Sequence, residues 1–197
     1  MDERERILEA ASRHCDIRER LPLVPASAQG RGLYFNSVET VLERAGKLAP
    51  YRAIYPRRLP ALQFHPTTDF LERLVVGAAI LAGPDRVHEG MFEIGRQNAV
   101  AFSQSLLGRA LLRILSRDPR KLLEQAVAGR RQSLTYGSWE LRFPSERRAV
   151  ITMREEYAYF DSYMLGAGQG TFDAVDVPVR ITVVVEDRFS GQHVLEW

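Results

Sequence analysis

Apolar residues along this chain follow two rhythms: a spacing of three to four residues as far as "RKLLEQAVAG", then alternation from "SLTYGSWELRF" onward. The first rhythm predicts helices. In "DERERILEAASRHC" it places Leu8, Ala11 and Cys15 on one face, and the loop "LPLVPASAQGRG", with Pro22, Pro25, Gly30 and Gly32, follows. That loop is a plausible boundary, so residues 1–32 read as a loosely attached N-terminal segment of a single domain spanning 1–197. "LYFNSVETVLERAG" predicts an amphipathic helix with Leu33, Val38, Val41, Leu42 and Ala45 on its apolar side, capped by Asn36 or Ser37 and stopped at Gly46. The prolines of "KLAPYRAIYPRRLPALQFHP" predict an irregular, extended connection whose Tyr51, Tyr55 and Phe64 dock on the body of the domain.

"TTDFLERLVVGAAILAG" predicts a buried helix with a Thr or Asp cap and an end at Gly83. The long run from Pro84 to Asp118 is expected as two helices broken near Gly95 or Gln97. Its most patterned part is "FSQSLLGRALLRIL", where Leu107, Leu111, Ile114 and Leu115 share an apolar face and Arg109, Arg113 and Arg117 line the other. Asp118-Pro119 caps and opens a helix that Gly129 is expected to close.

Alternation then predicts a hairpin, with Trp139, Leu141 and Phe143 on one face of its first strand and a bulge near Gly137. "RAVITMREEY" is the return strand, "AYFDSYMLGAGQGTFDAV" a helix with close-packing glycines, and "VRITVVVEDRFSGQHVLEW" a closing hairpin turned at Ser190-Gly191. The fold class is α+β: N-terminal helices packed on a C-terminal antiparallel sheet of strand-strand-helix-strand-strand order.

Composition narrows the function. At 197 residues, 45% hydrophobic and 26% charged, the chain is an ordinary globular domain. Its 27 basic and 25 acidic residues, scattered along the chain, give +2 and no block of one sign. The pairs Arg57-Arg58, Arg130-Arg131 and Arg147-Arg148 have carboxylates close by, so they read as solvated surface and no nucleic acid is expected. One cysteine excludes an internal disulfide and a multi-cysteine zinc site. The charged start "MDERERILEA" and the lack of a long apolar run imply no signal peptide, no membrane span and a cytoplasmic location.

Catalytic chemistry is not evident. His14, His65, His88 and His193 are dispersed, "GAGQG" lacks the strand-to-helix setting of a phosphate loop, and alternation puts Glu155 and Glu156 on opposite faces of a strand. No catalytic residue, metal or cofactor is therefore expected. An aromatic group on the hairpins remains. Tyr136, Trp139, Tyr157 and Tyr159 either complete the core or line an apolar ligand pocket between sheet and helices.

"RGLYFNSVETVLERAG", "FSQSLLGRALLRIL" and the terminal "HVLEW" resemble a myxobacterial paralogous family catalogued only as a domain of unknown function. The resemblance covers nearly the whole chain. "GRALL" is its most specific motif, which implies close packing at Gly108 and a fixed partner for Arg109. More distantly, the order of elements resembles the fold of four-vinyl-reductase domains, TRAPP tethering subunits and haem nitric-oxide/oxygen-binding sensors. "FPSER", Phe143 to Arg147, approximates the sensors' Tyr-x-Ser-x-Arg signature for the haem propionates, but Phe143 replaces the tyrosine and the helix upstream has no histidine to bind iron. The TRAPP likeness implies a hydrophobic tunnel and a dimerising helix face, although Cys15 does not match the acylated cysteine there.

The expected function is thus a non-enzymatic binding module for signalling or scaffolding, self-associating or meeting a protein partner through helix faces at Gly108, Arg109 and Arg113. The alternative is a sensor of an apolar small molecule, with its pocket at Tyr136, Trp139, Tyr157 and Tyr159.

Overall fold

The computed structural model describes residues 1–104 and 118–197. The chain forms two compact units, Met1–Ile94 and Gly95–Trp197.

The first unit is helical. α1 (Glu3–Ala11) starts where Asp2 accepts a bond from the Glu5 backbone N–H at 2.8 Å, satisfying one of the donors a helix start leaves open. α2 (Ile17–Arg20) follows, then β1 (Gln29–Arg31), α3 (Gly32–Arg44), α4 (Leu48–Ile54), β2 (Phe64–Pro66) and α5 (Thr67–Ala82). β1 and β2 pair antiparallel, and α1 and α3 both lie against α5. The core is made of Leu8, Ile17, Phe35, Leu42, Leu71 and Leu74, all fully buried, each stabilising the fold by about 1.5–3 kcal/mol. Leu8 and Ile17 belong to the 1–32 segment, so apolar burial ties that segment into this unit.

Three expectations fail here. β1 runs straight into α3, so neither Asn36 nor Ser37 caps it; both are buried inside the helix, Asn36 Nδ2 donating to the Leu59 carbonyl at 3.0 Å. The connection expected to be extended contains α4, because Pro50 falls in the first turn, where a missing N–H costs no helical bond. α5 begins after Pro66 without a Thr or Asp side-chain cap, though it does end at Gly83, whose φ of +100° suits glycine.

α6 (Val87–Gln104) runs unbroken through Gly95 and Gln97, against the expected break, and the boundary between the units falls within it. One interior glycine costs a helix only about 1 kcal/mol. "GRALL" and the candidate interaction face of Gly108, Arg109 and Arg113 lie outside the described residues.

The second unit holds α7 (Pro119–Ser133), β3 (Ser138–Ser145), β4 (Arg148–Arg154), a π-helical turn at Phe160–Met164, α8 (Leu165–Asp173), β5 (Arg180–Val185) and β6 (Gly191–Glu196). The sheet is antiparallel in the order β3-β4-β6-β5, and α7 lies against β3. The chain is therefore α+β with the expected strand-strand-helix-strand-strand order. Asp118 caps α7, accepting from the Arg120 N–H at 2.9 Å, but Gly129 does not close it; the helix continues to Ser133. The irregularity of the first hairpin lies between Arg142 and Ser145 and not at Gly137, which instead makes the turn before β3 with φ +56°. On β4, Ala149, Ile151 and Met153 face inward, opposite Leu195, His193 and Gly191 of β6.

Gly170 of "GAGQG" serves close helix packing, as does Gly95 of α6. A Cβ at Gly170 would stand 2.1 Å from the Arg96 carbonyl oxygen, and one at Gly95 would stand 2.1 Å from that of Tyr163. Both obstacles are backbone. Arg96 Nε also meets Asp173 at 2.6 Å across the same helix pair. Gly170→Ala is expected to lose about 3 kcal/mol, at the upper end for overpacking, despite alanine's better helix propensity. Gly129→Ala, which meets open space, should gain about 0.5–1 kcal/mol. Urea unfolding of the two variants checks the contrast, and a neutral Gly170→Ala would mean that the helices separate readily.

Candidate functional site

In the second unit a carboxylate and a guanidinium are buried together inside a ring of aromatic side chains. Arg130 sits in the last turn of α7, where a cation is favoured by the free carbonyls of the helix end. Its guanidinium bends over the turn that follows, with Nη2 donating to the Tyr136 carbonyl at 2.6 Å and Nη1 to that of Gly137 at 3.2 Å. The turn needs glycine twice over: Gly137 is left-handed, and a Cβ there would stand 2.4 Å from the Arg154 carbonyl oxygen.

Glu156 arrives from the other side. β4 ends at Arg154, and Glu155 adopts φ +50°, which redirects the chain. The expectation that Glu155 and Glu156 alternate on a strand is therefore wrong: both follow β4, Glu155 exposed and Glu156 buried. The Glu156 N–H donates to the Phe189 carbonyl at 2.8 Å. Its carboxylate accepts from Trp139 Nε1 at 2.9 Å, from the Ala158 N–H at 3.2 Å, and at 3.5 Å from both Arg130 Nη2 and the Tyr136 hydroxyl. Arg130 and Glu156 side chains are 4% and 2% exposed, so the pair is desolvated and the surrounding bonds must compensate for lost hydration.

Rings close the cluster. Tyr136 and Tyr157 stand 4.9 Å apart, Tyr157 and Phe189 5.0 Å, and the Arg130 Cζ lies 5.3 Å from the Tyr136 ring and 5.6 Å from that of Trp139, within range of cation–π attraction. Burial, and then the charges of Glu155 and Glu156, push the Tyr157 phenol up from its ordinary value. Among the sequence-predicted residues, Tyr136 and Trp139 are thus joined through Glu156, and Tyr157 through the Tyr136 ring. Tyr159 is buried just before the π-helical turn.

Two central residues were missed. From the sequence Arg130 reads as solvated surface beside Arg131, and Glu156 as an ordinary strand position. The available signals were a basic residue one turn before a helix end and an acid entering the aromatic run "YAYF".

His193 is a second buried polar group. Its Nε2 lies 3.0 Å from the Phe160 carbonyl oxygen, and burial lowers its pKa to about 4, with the Phe160 bond acting in the opposite direction. Among the described residues no group of three or more His, Cys, Asp or Glu side chains could hold a metal ion, and no helix is long and apolar enough to cross a membrane.

A family model described as "Protein of unknown function (DUF2378)" matches residues 25–197. No curated protein matches the chain. The fold is similar to that of an Fe(II) unliganded H-NOX protein from K. algicida, at 14% identity and TM-score 0.64 over 84% of this chain and 95% of that one. It is also similar to a mutant H-NOX of T. tengcongensis, at 15% identity and TM-score 0.53 over 83% and 94%. An H-NOX structure that probes the function of heme distortion aligns at 16% identity and TM-score 0.54 over 84% and 93%. At these identities the likeness shows the fold.

The residues present do not fit haem. The chain has no histidine between His88 and His193. His193 is a strand residue directed at the Phe160 carbonyl. In the hairpin that resembles the propionate signature, the Phe143 ring lies under Arg120, 4.3 Å from its Cζ, and Arg147 Nε donates to the Trp197 carbonyl.

Proposed function

The chain belongs to the DUF2378 family of unknown function, and from that premise and the H-NOX-like fold we propose that it is a small-molecule sensor domain that works without haem. Its ligand is an apolar molecule carrying a hydrogen-bond acceptor, held against Tyr136, Trp139 and Tyr157. The domain is non-enzymatic and passes its ligand state to a protein partner or a second copy of the chain. The observation that carries the reading is Arg130: its two Nη atoms are engaged, while Nε is buried without a hydrogen-bond partner among aromatic rings. A buried donor left open costs about 1–3 kcal/mol, and a ligand acceptor would relieve that cost.

Native mass spectrometry of the purified chain, compared with its denatured mass, tests the reading. The expected result is added mass that is lost on denaturation and absent from Trp139→Ala. A native mass equal to a whole number of bare chains, with no rise in Tm across a series of small aromatic carboxylates, would overturn it.

A further inference from the structure

The first unit contains a cluster of charge that the sensor reading does not use. Glu39, on the inner face of α3, is 4% exposed, yet it is a carboxylate. Arg52 Nη2, from α4, reaches it at 2.7 Å, and Arg58 Nε, from the chain after α4, lies at 3.8 Å. Arg73, on α5, also acts on Glu39, drawing its pKa down against the larger upward push of burial. Arg73 makes no ion pair among the described residues; its Cζ stacks 4.2 Å from the Tyr55 ring, which lies 5.0 Å from that of Tyr51. Arg73 is also the charge felt most strongly by the Tyr51 hydroxyl.

These groups leave an unmet need for an acceptor. Arg73 donates toward the Tyr51 hydroxyl oxygen, but neither tyrosine hydroxyl meets an acceptor for its own proton; both hydroxyls and Arg73 Nη1 are buried, and Tyr51 as a whole is 0% exposed. All can donate, and charge adds to the need. Three guanidiniums surround one carboxylate, an excess of two positive charges. Nearby acids do not remove that excess: Glu72 is paired with Arg4 at 3.3 Å, and Glu43 is exposed at the surface. A guanidinium fork and hydroxyl donors match the oxygens of phosphate or carboxylate. A doubly charged phosphate group would balance two positive charges, whereas a carboxylate would leave one.

We propose that Arg73, Tyr51 and Tyr55, with Arg52 and Arg58 at the solvent side, form a binding site for a phosphate group within the helical unit. The site is separate from the Glu156 cluster and does not depend on the sensor reading. Inorganic phosphate and glycerol phosphate, titrated calorimetrically into the full chain at constant ionic strength set with sodium chloride, are the probes. Saturable binding is expected, together with a Tm that rises with phosphate concentration. Arg73→Gln should weaken binding at least tenfold, and Tyr51→Phe, which keeps the buried ring, should weaken it severalfold while the circular dichroism spectrum is retained. Tighter binding of the ester would assign the site to a phosphorylated metabolite, and tighter binding of phosphate to the free ion. Absence of heat and of any Tm rise beyond that in chloride would overturn the proposal, as would binding unchanged in both variants.

Discussion

Glu156→Ala is expected to lower stability at neutral pH by about 3–5 kcal/mol, because it leaves the Arg130 guanidinium buried without its counter-charge. The same change removes the acceptor of the Trp139 indole N–H and of the Ala158 backbone N–H. Glu156→Gln keeps an oxygen for Trp139 and should lose less. Replacing both charges, as Arg130→Met with Glu156→Leu, should recover most of the loss, since an apolar pair of similar volume often matches a buried ion pair. Urea-unfolding midpoints of the set measure the ordering. A loss below about 1 kcal/mol for Glu156→Ala, the range of an exposed pair, would show that water reaches the cluster.

Acid should destabilise this fold through His193 by about 3 kcal/mol. In the folded chain burial holds the imidazole pKa at about 4, whereas a free histidine titrates near ~6.5. Between those values the unfolded chain binds the proton and the folded chain does not. The contribution is therefore fully present above pH ~6.5 and is lost as pH falls toward about 4, at about 1.4 kcal/mol per unit. Glu39 and Glu72 act in the opposite sense. Burial raises both, so what they contribute is greatest in acid and is lost as pH rises through their folded values. The difference between wild type and His193→Gln isolates the histidine, because the glutamine can still donate to the Phe160 carbonyl but does not titrate. The two stability curves should converge by about 3 kcal/mol between pH 7 and pH 4; parallel curves would mean that His193 is hydrated in solution.

The notable feature of the Glu156 cluster is its mixed character. The sequence offers Tyr136, Trp139, Tyr157 and Tyr159 as either core or the lining of an apolar pocket, and in the structure Tyr136 and Trp139 also bond the carboxylate of a buried ion pair. That changes the ligand chemistry under test: a purely apolar molecule would leave Arg130 Nε unsatisfied, and one with an acceptor would not. In the first unit the logic is similar. Tyr51, Tyr55 and Phe64 are expected to dock on the body of the domain; Phe64 stays exposed, while the Tyr51 and Tyr55 hydroxyls and Arg73 share one buried region.

What could be read from sequence was local. The helix over "TTDFLERLVVGAAILAG", its end at Gly83, the Asp118 cap and the alternation of Trp139, Leu141 and Phe143 depend on residues a few positions apart, whose periodicity and capping act over one or two turns. From these came the α+β class and the order of strands. Where neighbours compete with distant contacts, local reading failed. Asn36 and Ser37 have the chemistry of caps, but strand pairing of Gln29–Arg31 with Phe64–Pro66 set the start of α3 earlier. Gly95 reads both as a helix break and as a point of close backbone approach, and the Tyr163 carbonyl beside it settles the choice for packing.

The sequence by itself determined most of the longer helices and the strands of the second unit, the fold class and the near-neutral charge that makes no partner obvious. Only the tertiary structure decided which polar residues are buried and with whom. Arg130 meets Glu156 across 26 positions, Arg52 meets Glu39 across 13, and His193 meets Phe160 across 33. The free energy of a buried charge depends on what surrounds it in space, and no spacing along the chain encodes that surrounding.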